Sequence, residues 1–158
     1  RKNFCAQPWV YPQPVLIIAM YLSDGHKTVK NILKRGAFTV SMGDAEHAAA
    51  CDYVGIESGN SVPDKVARGL PRDESEHVDA PVIDELPLAL ECKLVSYDEE
   101  TRLLTGEIVN VSVDAALDEN GKLAVEKLHV ITFDYANHGY YVLGEKVASA
   151  FEDGKKLK

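Results

Sequence analysis

The stretch LALECKLVSY at positions 88–97 is followed, after a short acidic turn, by LLTGEIVNVSV at positions 103–113. These two runs carry the strongest strand pattern in the chain, because apolar side chains recur at every second position over much of their length. In the first run Leu90, Cys92 and Leu94 share one side, which predicts a face directed at a core. Two long runs joined by a short turn predict an antiparallel hairpin.

The rest of the sequence adds shorter strands and few helices. A continuous apolar run at 15–19 predicts a fully buried strand, and 37–41 predicts another. The proline- and aromatic-rich residues 1–14 predict an extended arm, and apolar side chains at helical spacing mark the tail at 145–151. Residues 70–85, rich in proline and acidic side chains, predict a surface crossing whose charge serves solvation. Hairpin-joined strands without regular strand–helix alternation favour a mainly β fold, an antiparallel barrel with short helices added.

Composition narrows the class of protein. Of the 158 residues, 46% are hydrophobic and 27% are charged, which is typical of one soluble domain spanning residues 1–158. A formal net charge of −8 argues against a nucleic-acid partner, because binding along a duplex needs a broad basic face. No apolar run is long enough to cross a bilayer, so no membrane association is expected. The three cysteines show neither CxxC nor metal-ligand spacing, which indicates reduced thiols, a cytoplasmic location and no metal site.

The segment YLSDGHKTVKNILK at 21–34 predicts a strand end, a glycine turn and an amphipathic helix. The first N–H groups of a helix lack intrahelical partners and its dipole favours an anion there. Ser23, Lys27 and Thr28 would add donors at the same point, so a phosphate site is one interpretation. An ordinary helix start facing water is the other.

An ordered set of short motifs runs through nearly the whole chain. They are KNF at 2–4, PWVYPQPVLII at 8–18, LS at 22–23, GHKT at 25–28, CDYVGI at 51–56, LEC at 90–92, GEI at 106–108 and YVLG at 141–144. This set resembles the flavin reductase-like proteins with the FMN-binding split-barrel fold, and the flavoredoxin group among them. Any single motif is a weak signal, whereas the ordered set is specific.

The resemblance implies a six-stranded antiparallel split barrel of Greek-key type that forms a homodimer, with FMN in a groove near the subunit boundary. It places the flavin phosphate on the turn at 23–28, where the physics of a helix start already favours an anion. It also implies that the segment 51–55 and Ser58 help to wall the flavin pocket, with a ring at Tyr140 or Tyr141 near the cofactor. The predicted cofactor-binding residues are Ser23, Gly25, His26, Lys27, Thr28, Asn31, Cys51, Asp52, Tyr53, Val54, Gly55, Ser58 and Tyr141.

The sequence departs from the family pattern at two places. A turn and at least one further strand are expected between the first strand and the phosphate turn, yet Met20 runs directly into Tyr21. A segment is therefore predicted to be missing, either by deletion or because a mobile loop is absent from this sequence. In addition, Asp24 stands where a small neutral residue is usual, and its carboxylate would repel a phosphate unless it points away.

The function that the resemblance implies is that of an FMN-binding flavoprotein, which takes electrons from NAD(P)H or a redox protein partner and passes them to flavin or another acceptor. Such a protein would be an NAD(P)H-dependent flavin reductase-like oxidoreductase. Two alternatives stay open: a flavoredoxin-type electron-transfer protein without NAD(P)H oxidation, and a split-barrel dimer that has lost flavin binding. The chain lacks GxGxxG, so a nicotinamide would have to stack on the flavin.

Two further side chains are candidates for chemistry at the flavin. His138, in a glycine turn, is the candidate catalytic residue that would meet a nicotinamide or an acceptor; the alternative is a plain loop residue. Cys51 invites a redox role, but without a second cysteine or a basic neighbour a packed helical cysteine is the favoured interpretation.

Overall fold

The computed structural model describes residues 2–3, 15–120 and 122–157 of the chain. The strands are β1 (Lys2–Asn3), β2 (Ile17–Tyr21), β3 (Ala37–Met42), β4 (Arg72–Glu74), β5 (Pro81–Ile83), β6 (Leu88–Tyr97), β7 (Leu103–Val113), β8 (Asp118–Glu119), β9 (Lys122–Leu123), β10 (Ile131–Asp134) and β11 (Gly139–Val142). The helices are α1 (Lys27–Arg35), α2 (Ala48–Ile56) and α3 (Lys65–Gly69), with short 3₁₀ turns at Ala115–Leu117, Val125–Lys127 and Asp153–Leu157.

The predicted hairpin is the middle of a curled antiparallel sheet. Strands β6 and β7 pair along most of their length, and β3 lies on the outer side of β6. On the outer side of β7, β1 and β2 lie one after the other along the same edge. The prediction of a mainly β fold built on an antiparallel sheet is therefore confirmed, with five of the described strands in this sheet where the resemblance implies six.

The core lies on the concave side of this sheet, under α1. It is centred on Ile32, Phe38, Cys92 and Leu104, each at most 5% exposed. Leu90 and Leu94 pack against this cluster, as their alternation with Cys92 predicted. The helix α1 closes the core because Val29 and Ile32, three residues apart, share one buried face.

The first predicted strand is less buried than expected. Side chains of β2 alternate between half-buried and exposed, and Ile17 is 51% exposed. The apolar run was expected to be covered on both faces, but among the described strands β2 pairs only with β7. Met20 and Tyr21 are consecutive residues of this strand, paired with Leu104 and Leu103. The missing segment relative to the family stays a prediction.

Three other expectations need comment. Residues 70–85 were expected to cross the surface without regular structure, but β4 and β5 form a hairpin there that packs beside β3. The helical spacing in the tail was misleading, because residues 143–149 adopt no helix and regular structure resumes only at Asp153–Leu157. The predicted N-terminal arm lies outside the described residues except for Lys2 and Asn3.

None of the helices in the described ranges has the length and hydropathy needed to span a membrane.

Candidate functional site

The helix α1 begins directly after the glycine turn, as the sequence predicted. The turn closes through a hydrogen bond from His26 N to the Ser23 carbonyl, 3.0 Å long. His26 occupies the N-cap position, but its side chain makes no capping hydrogen bond. The first N–H groups of α1 therefore lack a side-chain cap, and the positive end of the helix dipole stays available to a ligand.

A polar cleft of about 530 Å³ opens beside the first turn of α1. Its other wall is the end of α2 and the loop that leads to α3. The predicted residues that line this cleft are His26, Lys27, Thr28, Asn31, Val54, Gly55 and Ser58. The loop is held against the glycine turn by Asn60, whose Nδ2 donates to the Gly25 carbonyl at 2.9 Å. Two segments that are distant in sequence thus form one cleft.

The charge in this cleft favours an anion. Lys27 and Arg72 line it, and the dipole of α1 adds to their field. Lys65 also lines it, but its ammonium is bonded to the carbonyls of Val54 and Glu57, each 2.5 Å away, where it holds the end of α2. Glu57 lines the cleft as well, so its described charged lining consists of three cations and one carboxylate. Of the three cations, Lys27 and Arg72 are the ones whose side chains bond no other described residue.

Asp24 does not face this cleft. Its carboxylate accepts a hydrogen bond from Gly25 N at 3.0 Å and lies 3.8 Å from the guanidinium of Arg102. It thus stabilises the turn from outside and is partly balanced by a cation. This placement removes the repulsion that the sequence predicted for a phosphate at this position.

A second, more apolar cleft of about 650 Å³ adjoins the first along the edge of β3. The two share five lining residues, which are Thr28, Asn31, Val54, Val66 and Arg72. Phe38, Ile131 and Tyr140 are among its apolar lining residues. Ser41 also lines it, and within the described part of the chain its buried Oγ has no hydrogen-bond partner. A buried hydroxyl without a partner is destabilising, so a bound polar group at this point would satisfy it.

Cys51 lines the apolar cleft, deep against the chain turn at Gly43. Burial, followed by the nearby Asp44 carboxylate, raises the pKa of its thiol. Asp44 in turn accepts hydrogen bonds from the backbone N–H and the Nδ1 of His47, at 2.9 and 2.8 Å, at the start of α2. A thiol held in its protonated form is a packing group rather than a nucleophile, which agrees with the favoured interpretation of the sequence.

The β10–β11 hairpin contributes Ile131 and Tyr140 to the lining of this cleft. Tyr140 lines the cleft, and its hydroxyl donates to Asp52 of α2 at 2.9 Å. This hydrogen bond is the largest cause of the raised pKa of Tyr140. Tyr141, the residue chosen from the sequence, alternates to the other side and lines neither cleft.

The remaining predicted residues lie around the two clefts without lining them. Ser23 and Gly25 form the turn itself, and Asp52 and Tyr53 belong to α2. His138 lies at the tip of the β10–β11 turn, exposed, with a backbone φ of 53°. Its ring is parallel to that of Phe133, with centroids 6.4 Å apart. A catalytic role for His138 stays a prediction.

Sequence reasoning missed two residues of the site. Arg72 belongs to the acidic stretch that was read as solvated surface, and its neighbours gave no sign of a cleft. Ser41 lies at the end of a strand pattern and carries no motif of its own. Only the packing of β4 and β3 beside α1 brings these side chains to the clefts. Within the described ranges, no three His, Cys, Asp or Glu side chains are arranged to hold a metal ion.

Comparison with known proteins identifies a matching domain family and one related sequence. Residues 10–144 match the model of the flavin reductase like domain. A protein of Aquifex aeolicus (strain VF5), itself uncharacterized, is 33% identical over 124 residues, which is 75% of this chain. The match spans only 63% of the length of that relative.

Two solved structures share the fold closely. The flavoredoxin of Desulfovibrio vulgaris (Miyazaki F) has a TM-score of 0.82 and 38% sequence identity, covering 87% of this chain and 75% of its own. The flavoredoxin of Methanosarcina acetivorans has the same TM-score at 24% identity, covering 90% of this chain and 76% of its own. The second similarity concerns the fold alone.

Proposed function

The chain belongs to the flavin reductase-like domain family, and from this premise we propose that it binds FMN and transfers electrons through it. The observation that carries the proposal is the pair of adjoining clefts, one polar and basic at a helix start, the other apolar with an unpartnered hydroxyl. A flavin mononucleotide has matching parts, namely an anionic phosphate and a flat ring with polar edges. The name of the Desulfovibrio vulgaris relative, a flavoredoxin, supports an electron-transfer role.

The residues present fit this group. Lys27, Arg72 and the first N–H groups of α1 would hold the phosphate, because they are the free positive groups of the polar cleft. Phe38, Ile131 and Tyr140 would exclude water around the ring, and Ser41 would bond a polar atom at its edge. The flavin, when bound, supplies the electron transfer itself. The protein's part is to position the ring and to shield one side of it.

FMN binding is tested by comparing ligands with and without the phosphate. Purified protein is titrated with FMN and with riboflavin, which lacks the phosphate, and quenching of flavin fluorescence is followed. We expect Lys27→Gln and Arg72→Gln each to weaken FMN binding about five- to tenfold, by loss of a charged hydrogen bond, and to leave riboflavin binding unchanged. Lys34→Gln is the matched control, because Lys34 lies in the last turn of α1, away from the cleft. Failure to bind FMN, or equal losses for FMN and riboflavin, would contradict the proposal.

The electron donor separates the two leading functions. If the protein is an NAD(P)H-dependent flavin reductase, NADH or NADPH will bleach the flavin absorption of the loaded protein without air. If it works as a flavoredoxin, as the similarity to the Desulfovibrio vulgaris protein favours, only a redox protein or a chemical reductant will do so. Cytoplasmic location belongs to the same proposal, since it rests on the cysteine pattern of the sequence.

A further inference from the structure

A separate pocket of about 280 Å³ lies between the β4–β5 hairpin and the strands β6 and β7. It shares none of its described lining residues with the two clefts beside α1. Its walls come from the hairpin and from the facing strands β6 and β7. The carboxylates that line it are Asp73, Glu74, Glu76, Asp84 and Glu91, and no lysine or arginine occurs among its described lining residues. The acids of residues 70–85 were predicted from the sequence to be solvated surface, whereas Glu91 belongs to the predicted strand at 88–97.

Glu91, on β6, differs from the other acids of this pocket because it is only 2% exposed. One carboxylate oxygen accepts a hydrogen bond from Asn110 Nδ2 at 2.7 Å, and the other accepts from Ser75 Oγ. Ser75 Oγ in turn accepts from the backbone N–H groups of His77 and Val78, each at 3.0 Å. The hydrogen-bond donors to this buried carboxylate are neutral groups. Burial of a charge without a counter-ion is unfavourable, so an occupant that brought a cation would be stabilised here.

Ser112 is an independent sign of an occupant. It lies on β7, opposite Ala89 of β6, and lines the same pocket at 3% exposure. Its Oγ has no hydrogen-bond partner among the residues that the structure describes. A hydroxyl can accept from an N–H donor, and such a bond would remove the cost of leaving it unpaired.

We propose that this pocket binds an organic cation that carries N–H donors, an alkylammonium or a guanidinium group. Such a group offers positive charge to Glu91 and its acidic neighbours and a donor to Ser112. The volume, about 280 Å³, lies just below the usual range of sites for drug-sized molecules, which suits a small cationic head. A metal ion is the poorer occupant, because the described side chains include no group of three arranged as ligands.

Agmatine is the probe, since it carries both an ammonium and a guanidinium group. Its binding to the flavin-free protein is measured by isothermal titration calorimetry at low ionic strength, with choline as the control cation because it has charge but no N–H donor. We expect agmatine to bind at least about tenfold more tightly than choline. Absence of agmatine binding at millimolar concentrations, or equal binding of choline, would overturn the proposal.

Substitutions in the lining residues test whether agmatine binds in this pocket. Glu91→Gln keeps the side-chain shape and is expected to weaken agmatine about tenfold or more, and Ser112→Ala about threefold. Asp64→Asn removes the same charge from an exposed residue of another face, and should change binding less than about twofold. Unchanged binding in Glu91→Gln would refute the assignment. If that variant does not fold, the double variant Asp73→Asn with Glu76→Gln, at two exposed positions, replaces it. An affinity for agmatine that is weaker by about fivefold supports the pocket, and an unchanged affinity overturns the proposal.

A second probe distinguishes a free small amine from a protein side chain as the source of the cation. This probe is a blocked arginine, N-acetyl-arginine methylamide, which presents the guanidinium as a protein side chain would. Binding of both probes, lost in Glu91→Gln, indicates that a protein side chain can enter. Binding of agmatine alone indicates a free small amine. FMN titration of the same variants should be unchanged, so this proposal and that of the flavin site fail or succeed separately.

Discussion

Gly106 shows how closely one residue can be constrained by its neighbours. A Cβ at this position on β7 would lie 2.4 Å from Cζ of Phe38 and 3.1 Å from the Lys93 carbonyl oxygen. We expect Gly106→Ala to lower the free energy of unfolding by about 1–3 kcal/mol, the usual effect of overpacking, as measured by urea denaturation.

The matched control for this substitution is Gly55→Ala. Gly55 lies inside α2, and a Cβ there would meet nothing within 4 Å. Because alanine is the better helix former, this change should stabilise the protein by about 0.5–1 kcal/mol. The clash with Phe38 is tested by repeating Gly106→Ala in a Phe38→Leu background. An equal loss in that background would show that the Phe38 ring is not the cause.

The thiol of Cys92 makes the free energy of unfolding depend on pH in the alkaline range. Burial, followed by the adjacent Glu91 carboxylate, raises the pKa of its thiol from 9.0 to about 11. Above pH 9 the unfolded chain loses this proton while the folded protein keeps it, so the folded state loses stability as the pH rises from about 9 to 11. For one thiol the slope is at most about 1.4 kcal/mol per pH unit.

The effect of Cys92 is isolated by Cys92→Val, which fills the same core site without a titrating group. Urea denaturation of both proteins across this pH range should show a shallower loss in the variant. Tyr97 and Tyr140, whose pKa values are also raised, contribute equally to both curves and cancel in the difference. Parallel curves would mean that Cys92 does not titrate differently in the folded and unfolded states.

At the scale of elements, α1 and β3 are joined by a single residue, Gly36. Its φ of 68° is left-handed, its N–H donates to the Ile32 carbonyl at 2.8 Å, and its carbonyl accepts from Leu94 N at 2.9 Å. This residue therefore ends α1 and aligns β3 with β6 at once. The glycine after the helix was predicted from the sequence, because glycine is the residue that reverses the chain there without strain.

Substitution of Gly36 tests the joint between helix and strand. Nothing lies within 4 Å of a Cβ at this position, so backbone strain is the main penalty. We expect Gly36→Ala to destabilise the protein by about 1–2 kcal/mol, and Gly36→Asn by roughly half of that, since asparagine tolerates left-handed backbone better. Thermal unfolding of both variants provides the comparison. Equal losses for alanine and asparagine would indicate a cause other than backbone strain.

On the scale of the whole molecule, the tail leaves large apolar side chains in solvent. Val147 is 98% exposed and Phe151 is 93% exposed. Apolar groups at this density on a free surface are typical of an interface. Together with the dimer that the resemblance implied, this exposure supports the proposal that the protein associates with a second copy through its tail.

Sedimentation equilibrium measures this association. We expect the double change Val147→Ser with Phe151→Ser to weaken self-association more than about tenfold, because two of the most exposed apolar side chains of the tail would no longer be available to the contact. Unfolding of the isolated chain should change by less than about 0.5 kcal/mol, as for other exposed sites. Val125→Ser, an exposed valine outside the tail, is the control. A wild-type protein that stays monomeric at high concentration would exclude the dimer.

Local sequence patterns correctly predicted the elements whose formation depends on residues that are close together in the chain. The alternation in 88–97 and 103–113 identified the β6–β7 hairpin, and the spacing of Val29 and Ile32 identified the buried face of α1. The β4–β5 hairpin was missed because its strands have three residues each, too few for a period to show. The exposure of β2 was missed because an apolar run does not reveal whether a second strand lies beside it.

The sequence by itself determined the family, the central hairpin, the helix that follows a glycine turn and a basic helix start suited to an anion. Only the tertiary structure decided that Asp24 turns away from that start, that Arg72 and Ser41 join the two clefts, and that Glu91 and Ser112 are buried together in an acidic pocket. The physical reason is the range of the interactions. Periodicity and capping act between residues a few positions apart, whereas a cleft or a buried charge arises where segments distant in sequence pack together.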